Sequence, residues 1–250
     1  MSTITRGRLD NEVAGVEPRA PEPPRKLAVA APNRGELEYQ HNPVRRFFNV
    51  LVAGIGLVVL SPVMLMLAAL VKLSSPGPVF YTQTRVGVDR RSRHDSGFFR
   101  RQIDYGGRLF KIYKFRTMRV APPEAEQVWA AKGDARITPI GRVLRKYRLD
   151  ELPQLFNVLR GDMNVVGPRP EQPEIFIQLR EQVDRYQDRQ RVLPGITGWA
   201  QVNQRYDSCV DDVRKKVEYD LEYVGRQSAW EDLRIMVKTL PVVAFRDDGT

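Results

Sequence analysis

The sequence predicts an α+β protein carried on a membrane-embedded helical segment, with several helices and a few short strands making up the rest. Three observations predict it. An uncharged apolar run extends from Phe47 to Val71, two β-branched and aromatic segments lie around 79–84 and 109–118, and apolar residues recur at helical spacing through the C-terminal half.

Residues 1–43 contain Pro18, Pro21, Pro23, Pro24, Pro32 and Pro43 among Arg, Glu and Ala, with no apolar period, and are expected to form a disordered cytosolic tail. The run that follows, FFNVLVAGIGLVVLSPVMLMLAALV, is roughly 25 residues, enough as a helix to cross a hydrocarbon core of about 30 Å. A secretory signal peptide fits it poorly, because it starts deep in the chain and lacks a small-residue cleavage pattern. Ser61 and Pro62 fall in its middle. Proline removes a helical hydrogen bond and crowds the carbonyl of Val58, so a kink or break is expected there, leaving each half too short to span alone. Arg45 and Arg46 precede the run, and Lys72, Arg85, Arg90 and Arg91 follow it, so flanking charge assigns the ends to no particular sides. This pattern points to a re-entrant helix-break-helix over 44–73, with a kinked single span as the open alternative.

Residues 74–250 are expected to form one domain. Val79 to Thr84 reads as a strand and LFKIYKFRTM as its partner. The basic insertion between them, 89–107, is too polar for a tight hairpin, and its arginines and Phe98-Phe99 suit a membrane contact or a homodimer contact. Leu152, Leu155, Phe156 and Leu159 predict a helix over 153–160, with Pro153 at its first position and Gly161 just past its end. Further helices are expected at 172–190, 208–224 and 229–240, the last stopped by Pro241.

A chain of 250 residues with 42% apolar content can bury one ordinary core. Its net charge of +10 calls for an anionic partner: nucleic acid, an anionic membrane or a phosphorylated small molecule. Charge does not choose among them. Cys209 alone cannot form an internal disulfide, and His41 and His94 are too few for a Cys/His zinc cluster, so any metal would be oxygen-bound, as magnesium is. Phosphate-binding glycine loops, dinucleotide fingerprints, nucleophile elbows and H-E-x-x-H are absent from the sequence.

The stretch RLDELPQL sets Asp150 and Glu151 just before a helix and behind Arg142, Arg145, Lys146 and Arg148. Alone, the pair reads first as an ordinary acidic cap. The cations shift the balance: Arg145 and Arg148 are expected to lower the acids' pKa and keep them ionised, as a carboxylate nucleophile or metal ligand requires. Arg169, between Pro168 and Pro170, sits on stiff extended backbone suited to bidentate phosphate binding or to pairing with a nearby acid. PGITGWAQVN reads as a turn feeding a short strand that offers Gln201 and Asn203, or as packing alone. Lys114 and Arg116 alternate at a strand end, where they line a phosphate site or face solvent.

Taken in order, the Ser-Pro-broken run, KFRTM, LDELPQLFNVLRGDMNVVGPRP and PGITGWAQVN resemble the bacterial sugar transferase family of monotopic phosphoglycosyl transferases, over roughly Val44 to Phe245. The resemblance implies a monotopic protein of the bacterial inner membrane with a catalytic domain facing the cytoplasm at the lipid interface. It implies transfer of a sugar 1-phosphate from a UDP-sugar to polyprenyl (undecaprenyl) phosphate, with UMP leaving and no nucleic acid involved. Asp150 would then be the nucleophile of a covalent aspartyl-phosphosugar. Glu151 would position magnesium beside it, and Arg145 and Arg169 would surround the phosphates. Gln190, Leu193 and Gln204 stand where the family often has histidine, lysine and glycine, which bears on donor choice. The rival from another class is a membrane-anchored scaffold that binds anionic lipid or assembly partners without turnover.

Overall fold

A computed structural model describes residues 42–90, 104–120, 134–204 and 210–245. The proline-rich tail, His41, most of the basic insertion with His94 and Phe98-Phe99, and Cys209 lie outside them.

The apolar run folds as α1, Pro43–Ser74, a helix of 32 residues that opens with Asn42 accepting from the Arg45 amide (3.1 Å) and proline in its first turn. It continues through Ser61 and Pro62, so the expected break is absent from the helix. Pro62 has no N–H for the Val58 carbonyl, and the Ser61 hydroxyl donates to that carbonyl instead (2.8 Å), replacing the missing bond. Among the described residues α1 is the one helix long and apolar enough to cross a membrane. Phe47, Leu51, Ile55, Val58, Val59, Leu65, Met66 and Leu73 are exposed along it.

The other side of α1 packs on the protein body. Strands β1 (Phe80–Val86) and β2 (Leu109–Phe115) form the expected antiparallel pair, with Phe80 opposite Phe115 and Val86 opposite Leu109. Helices α2 (Pro139–Lys146) and α3 (Gln154–Arg160) follow, separated by a 3-10 turn at Leu149–Glu151. Ala53 joins Phe110, Ile112, Leu155, Val158 and Met163 in one apolar cluster. Met64, Leu67 and Val71 join Phe115 and Leu144 in a second. Each such fully buried aliphatic side chain contributes roughly 1.5–3 kcal/mol, so α1 is held by the body along its length. Gly56 permits this contact, because a Cβ there would stand 3.3 Å from a Leu155 methyl.

Polar groups pin both ends of α1 to the same body. Near its start, Arg45 is buried and donates to Asp232 (3.0 Å), Tyr223 and Gln227. Arg46 donates to the Val158 and Leu159 carbonyls at 2.6 and 2.8 Å, and Asn49 accepts from the Val165 amide at 2.6 Å. At the far end Arg116 donates to the Val71 (3.3 Å), Ser75 (2.7 Å) and Pro76 carbonyls.

The C-terminal half holds β3 (Asn164–Val166), α4 (Pro173–Gln182), β4 (Gly195–Thr197), α5 (Trp199–Asn203), α6 (Val210–Arg226) and α7 (Ala229–Phe245). Strands β3 and β4 pair in parallel. Their backbones approach so closely that a Cβ on Gly195 would fall 2.0 Å from the Gly167 nitrogen. The helix expected over 172–190 is divided: α4 ends at Gln182, Arg185 takes a left-handed φ of 59°, and a 3-10 turn covers Tyr186–Arg191. The WAQVN segment is a helical turn rather than a strand. Pro241 does not stop α7, which runs on to Phe245. Pro241 and Val237, whose carbonyl loses its partner, lie on the exposed side, so no buried group is stranded. That side also presents Trp230, Leu233 and Leu240.

Candidate active site

The 3-10 turn between α2 and α3 carries the acid pair. Arg148 precedes it with a left-handed φ of 53°, an uncommon setting for a non-glycine residue that redirects the chain out of α2. Both acids point inward, Asp150 being 8% and Glu151 6% exposed. Gln154 and Asn157 on α3 are buried behind them. Asn157 donates to the Lys111 carbonyl (2.7 Å) and accepts from the Tyr113 amide (3.1 Å), which locks α3 against β2 and sets the position of Lys114.

Lys114 Nζ then lies 2.7 Å from Glu151 Oε1 and 3.7 Å from Asp150 Oδ2. Arg169 also reaches Glu151, donating through Nη2 to Oε1 (2.7 Å) and through Nη1 to Oε2 (3.4 Å). Glu151 is therefore clamped by two cations, and Asp150 is the more loosely held acid.

Their ionisation separates accordingly. Burial pushes Asp150 above the ordinary carboxylate range, against the pull of Lys114, and the neighbouring Glu151 charge pushes it further. Burial acts the same way on Glu151, but Arg169 and then Lys114 outweigh it and hold that carboxyl well below its usual value. The expectation that Arg145 and Arg148 keep both acids ionised is corrected on two points. The cations in contact are Lys114 and Arg169, and Asp150 is raised rather than lowered. Arg145 stands one step back, its Nε donating to Thr117 Oγ1 at 2.9 Å.

Of the residues singled out from the sequence, Asp150, Glu151, Lys114 and Arg169 come together. Arg116 is turned away to the C-terminal carbonyls of α1. Gln201 donates to the Ile196 carbonyl (3.1 Å) and Asn203 to the Trp199 carbonyl (2.8 Å), so both amides serve their own turn. Ser61 and Pro62 lie on α1. Sequence reasoning missed Asn157, whose signal was a buried-face polar residue between Phe156 and Val158, and it missed Thr117, Arg85 and Arg189.

The donor set sets limits on a metal. Among the described residues no group of three His, Cys, Asp or Glu side chains converges, so these residues offer no complete cage. Magnesium is commonly held by one or two carboxylates together with waters and substrate phosphates, and Asp150 has coordination capacity for that. Both Glu151 oxygens already accept from Arg169, and one also from Lys114.

The site is thus a buried carboxylate pair with opposed ionisation, contacted by two cations and set on a body packed along an apolar helix of membrane length. A family model described as bacterial sugar transferase matches residues 40–246, and the chain belongs to that family. Over 200 residues it is 42% identical to the UDP-N-acetylgalactosamine-undecaprenyl-phosphate N-acetylgalactosaminephosphotransferase of Aeromonas hydrophila, covering 80% of this chain and 43% of that one. It is 39% identical to the UDP-glucose:undecaprenyl-phosphate glucose-1-phosphate transferase of Escherichia coli, covering 79% of this chain and 39% of that one. It is 37% identical to the exopolysaccharide production protein ExoY of Rhizobium meliloti, covering 80% of this chain and 85% of that one. The chain thus spans about two fifths of the length of the first two relatives and most of the third.

Proposed function

We propose that this protein transfers a sugar 1-phosphate from a UDP-sugar to undecaprenyl phosphate and releases UMP, initiating assembly of an exopolysaccharide, capsule or other glycan. The observation that carries the reading is the opposed pair: Glu151 fixed as an anion between Lys114 and Arg169, with Asp150 beside it, buried and loosely held. The names of the relatives supply the substrate class.

Asp150 attacks the sugar-bearing phosphorus with a carboxylate oxygen. The bond from that phosphorus to the UMP oxygen breaks, UMP leaves with the electron pair, and an aspartyl-phosphosugar remains. An oxygen of undecaprenyl phosphate then attacks the same phosphorus, the aspartyl bond breaks, and Asp150 is restored as a carboxylate. Two negatively charged partners repel each other at each step, and Arg169 and Lys114 offset that repulsion. Burial favours the protonated form of Asp150 while Lys114 and Arg169 pull toward the carboxylate; a divalent cation held beside it would favour the ionised form further. Asp150, together with Glu151 on exchange of one of its cations, would hold magnesium, which when bound supplies further charge neutralisation on the diphosphate.

The acceptor phosphate sits at head-group level, the depth to which a one-sided anchor would bring Asp150. The attachment of both ends of the unbroken α1 to one folded body supports a helix held on one side of the membrane rather than a span. The outward stripe of Trp230, Leu233, Val237 and Leu240 on α7 supports the interface placement. A donor drawn from the cytosol supports a body on the cytoplasmic face of the inner membrane. Purified protein given undecaprenyl phosphate, magnesium and a panel of UDP-sugars is expected to release UMP from at least one donor. UMP from none, with vesicle binding intact, would favour the scaffold instead.

A further inference from the structure

Arg169 is presented from a loop whose every backbone carbonyl is held. The Pro168 carbonyl accepts from the Gly195 amide (3.0 Å) and the Glu171 carbonyl from the Val86 amide (2.9 Å). Between them, the Arg169 carbonyl accepts from Arg189 Nη2 and the Pro170 carbonyl from Arg85 Nη1, both at 3.1 Å. Two arginine side chains thus grip the two carbonyls at the centre of the loop, where no strand neighbour supplies an amide.

Both arginines are themselves fixed. Arg189 donates through Nε to Asp220 on α6 at 2.6 Å, the pair being 3% and 2% exposed, and stacks on the Tyr186 ring at 4.9 Å. Arg85 lies 3.9 Å from Glu171, whose carboxylate also accepts from Lys216 at 2.8 Å. A fully buried ion pair is a weak source of net stability, because desolvation offsets its attraction. The placement of Arg189–Asp220 therefore calls for another reason, and the hydrogen bond to the Arg169 backbone provides one. Asp220 offsets the buried Arg189 directly, and Glu171 is shared between Arg85 and Lys216.

We infer that Arg189, anchored by Asp220, and Arg85 are positioning residues that fix Arg169 against Glu151 and toward the transferring phosphate. The catalytic consequence rests on the transferase reading, whereas the structural consequence does not. A lysine at either position keeps the charge but has a single donor head, so it cannot serve a carboxylate and a carbonyl in the same fixed geometry. Charge-conserving variants therefore isolate placement from field strength.

The test has two arms on the full chain in lipid nanodiscs. In the first, nitrogen-15 arginine spectra without substrate follow the Arg169 guanidinium, assigned by its loss in Arg169→Lys. Clamped in the wild type, it should give resolved Nη signals that average in Arg189→Lys and in Arg85→Lys; unchanged Arg169 signals in both would overturn the inference. In the second, kcat for UMP release is measured in a double-mutant cycle. A misplaced group can cost up to about 100-fold, so Arg189→Lys is expected to lower kcat about 10- to 100-fold. Because Arg189 acts through Arg169, adding Arg189→Lys to Arg169→Lys should cost less than about twofold more. Losses that multiply would mean that Arg189 serves the fold alone. If Arg189→Lys does not fold, Arg85→Lys runs the same cycle. Arg169 signals that shift in a protein releasing no UMP from any donor would uphold the placement and sink the transferase reading.

Discussion

At the scale of single residues, the site depends on two adjacent carboxylates being treated differently. The acid pair is legible in RLDELPQL because a run of cations precedes it; adjacent acids also open α6 and α7, without such a run before them. The cations that act on it are not, since Lys114 and Arg169 lie 37 and 18 residues from Glu151 and reach it only through the fold. Arg145, conspicuous in the sequence, bonds Thr117 and acts on Asp150 only from a distance, less than Lys114 and Arg169 do. Glu171 gives a residue-scale prediction. It is partly buried, and although burial opposes its charge, Lys216 and then Arg189 hold its pKa at about 2, below the ordinary 4.5. A carboxyl depressed on folding stabilises the fold above its unfolded pKa and loses that contribution as pH falls through the folded value. The difference in melting temperature between wild type and Glu171→Gln is thus expected to be full at pH 7 and to shrink as pH falls from about 4.5 toward 2. A difference independent of pH would contradict the assignment.

At the scale of elements, local pattern located the β1–β2 hairpin, α3 and α6, whose periodicities are long or whose end signals are strong. It failed where a single backbone setting or a distant partner decides. The left-handed Arg185 divides the apolar spacing of 172–190, and β3 and β4 are too short to be recognised except by pairing with each other. Asn157 shows the same limit, since a buried asparagine on α3 makes sense only once β2 lies against it. Helix α2 offers a test of element packing. A Cβ at Gly141 would stand 2.0 Å from the Thr117 carbonyl oxygen, so α2 sits as close as a glycine allows to the segment that holds Arg145. Alanine is the better helix former by about 1 kcal/mol, yet Gly141→Ala is expected to destabilise by about 1–3 kcal/mol through overpacking. A thermal melt checks the sign, and a stabilised variant would mean that α2 can move away freely.

At the scale of the whole molecule, α1 has the length and apolarity of a membrane helix and is also a structural member of the body. Its composition announced the first role. The second was hidden, because Arg45 and Arg46 read as flanking charge until Asp232, 187 residues away, proves to be the partner of Arg45. Removing one partner of a buried pair costs about 3–5 kcal/mol, so Arg45→Ala is expected to lower the melting temperature sharply while Arg45→Lys lowers it less. With both ends of α1 pinned to one body, single cysteines replacing Val44 and Leu73 in a Cys209→Ser background should react alike with an impermeant maleimide from either side; opposite sidedness would indicate a span. The central claim is that Asp150 carries the phosphosugar between donor and acceptor. The most direct measurement incubates the protein with its UDP-sugar and no acceptor, then looks by mass spectrometry for a phosphosugar on the peptide bearing Asp150. The account predicts one UMP released per adduct, discharge of the adduct by undecaprenyl phosphate, and neither event in Asp150→Asn; an adduct that persists in that variant, or UMP that appears only with acceptor and without an adduct, would contradict it.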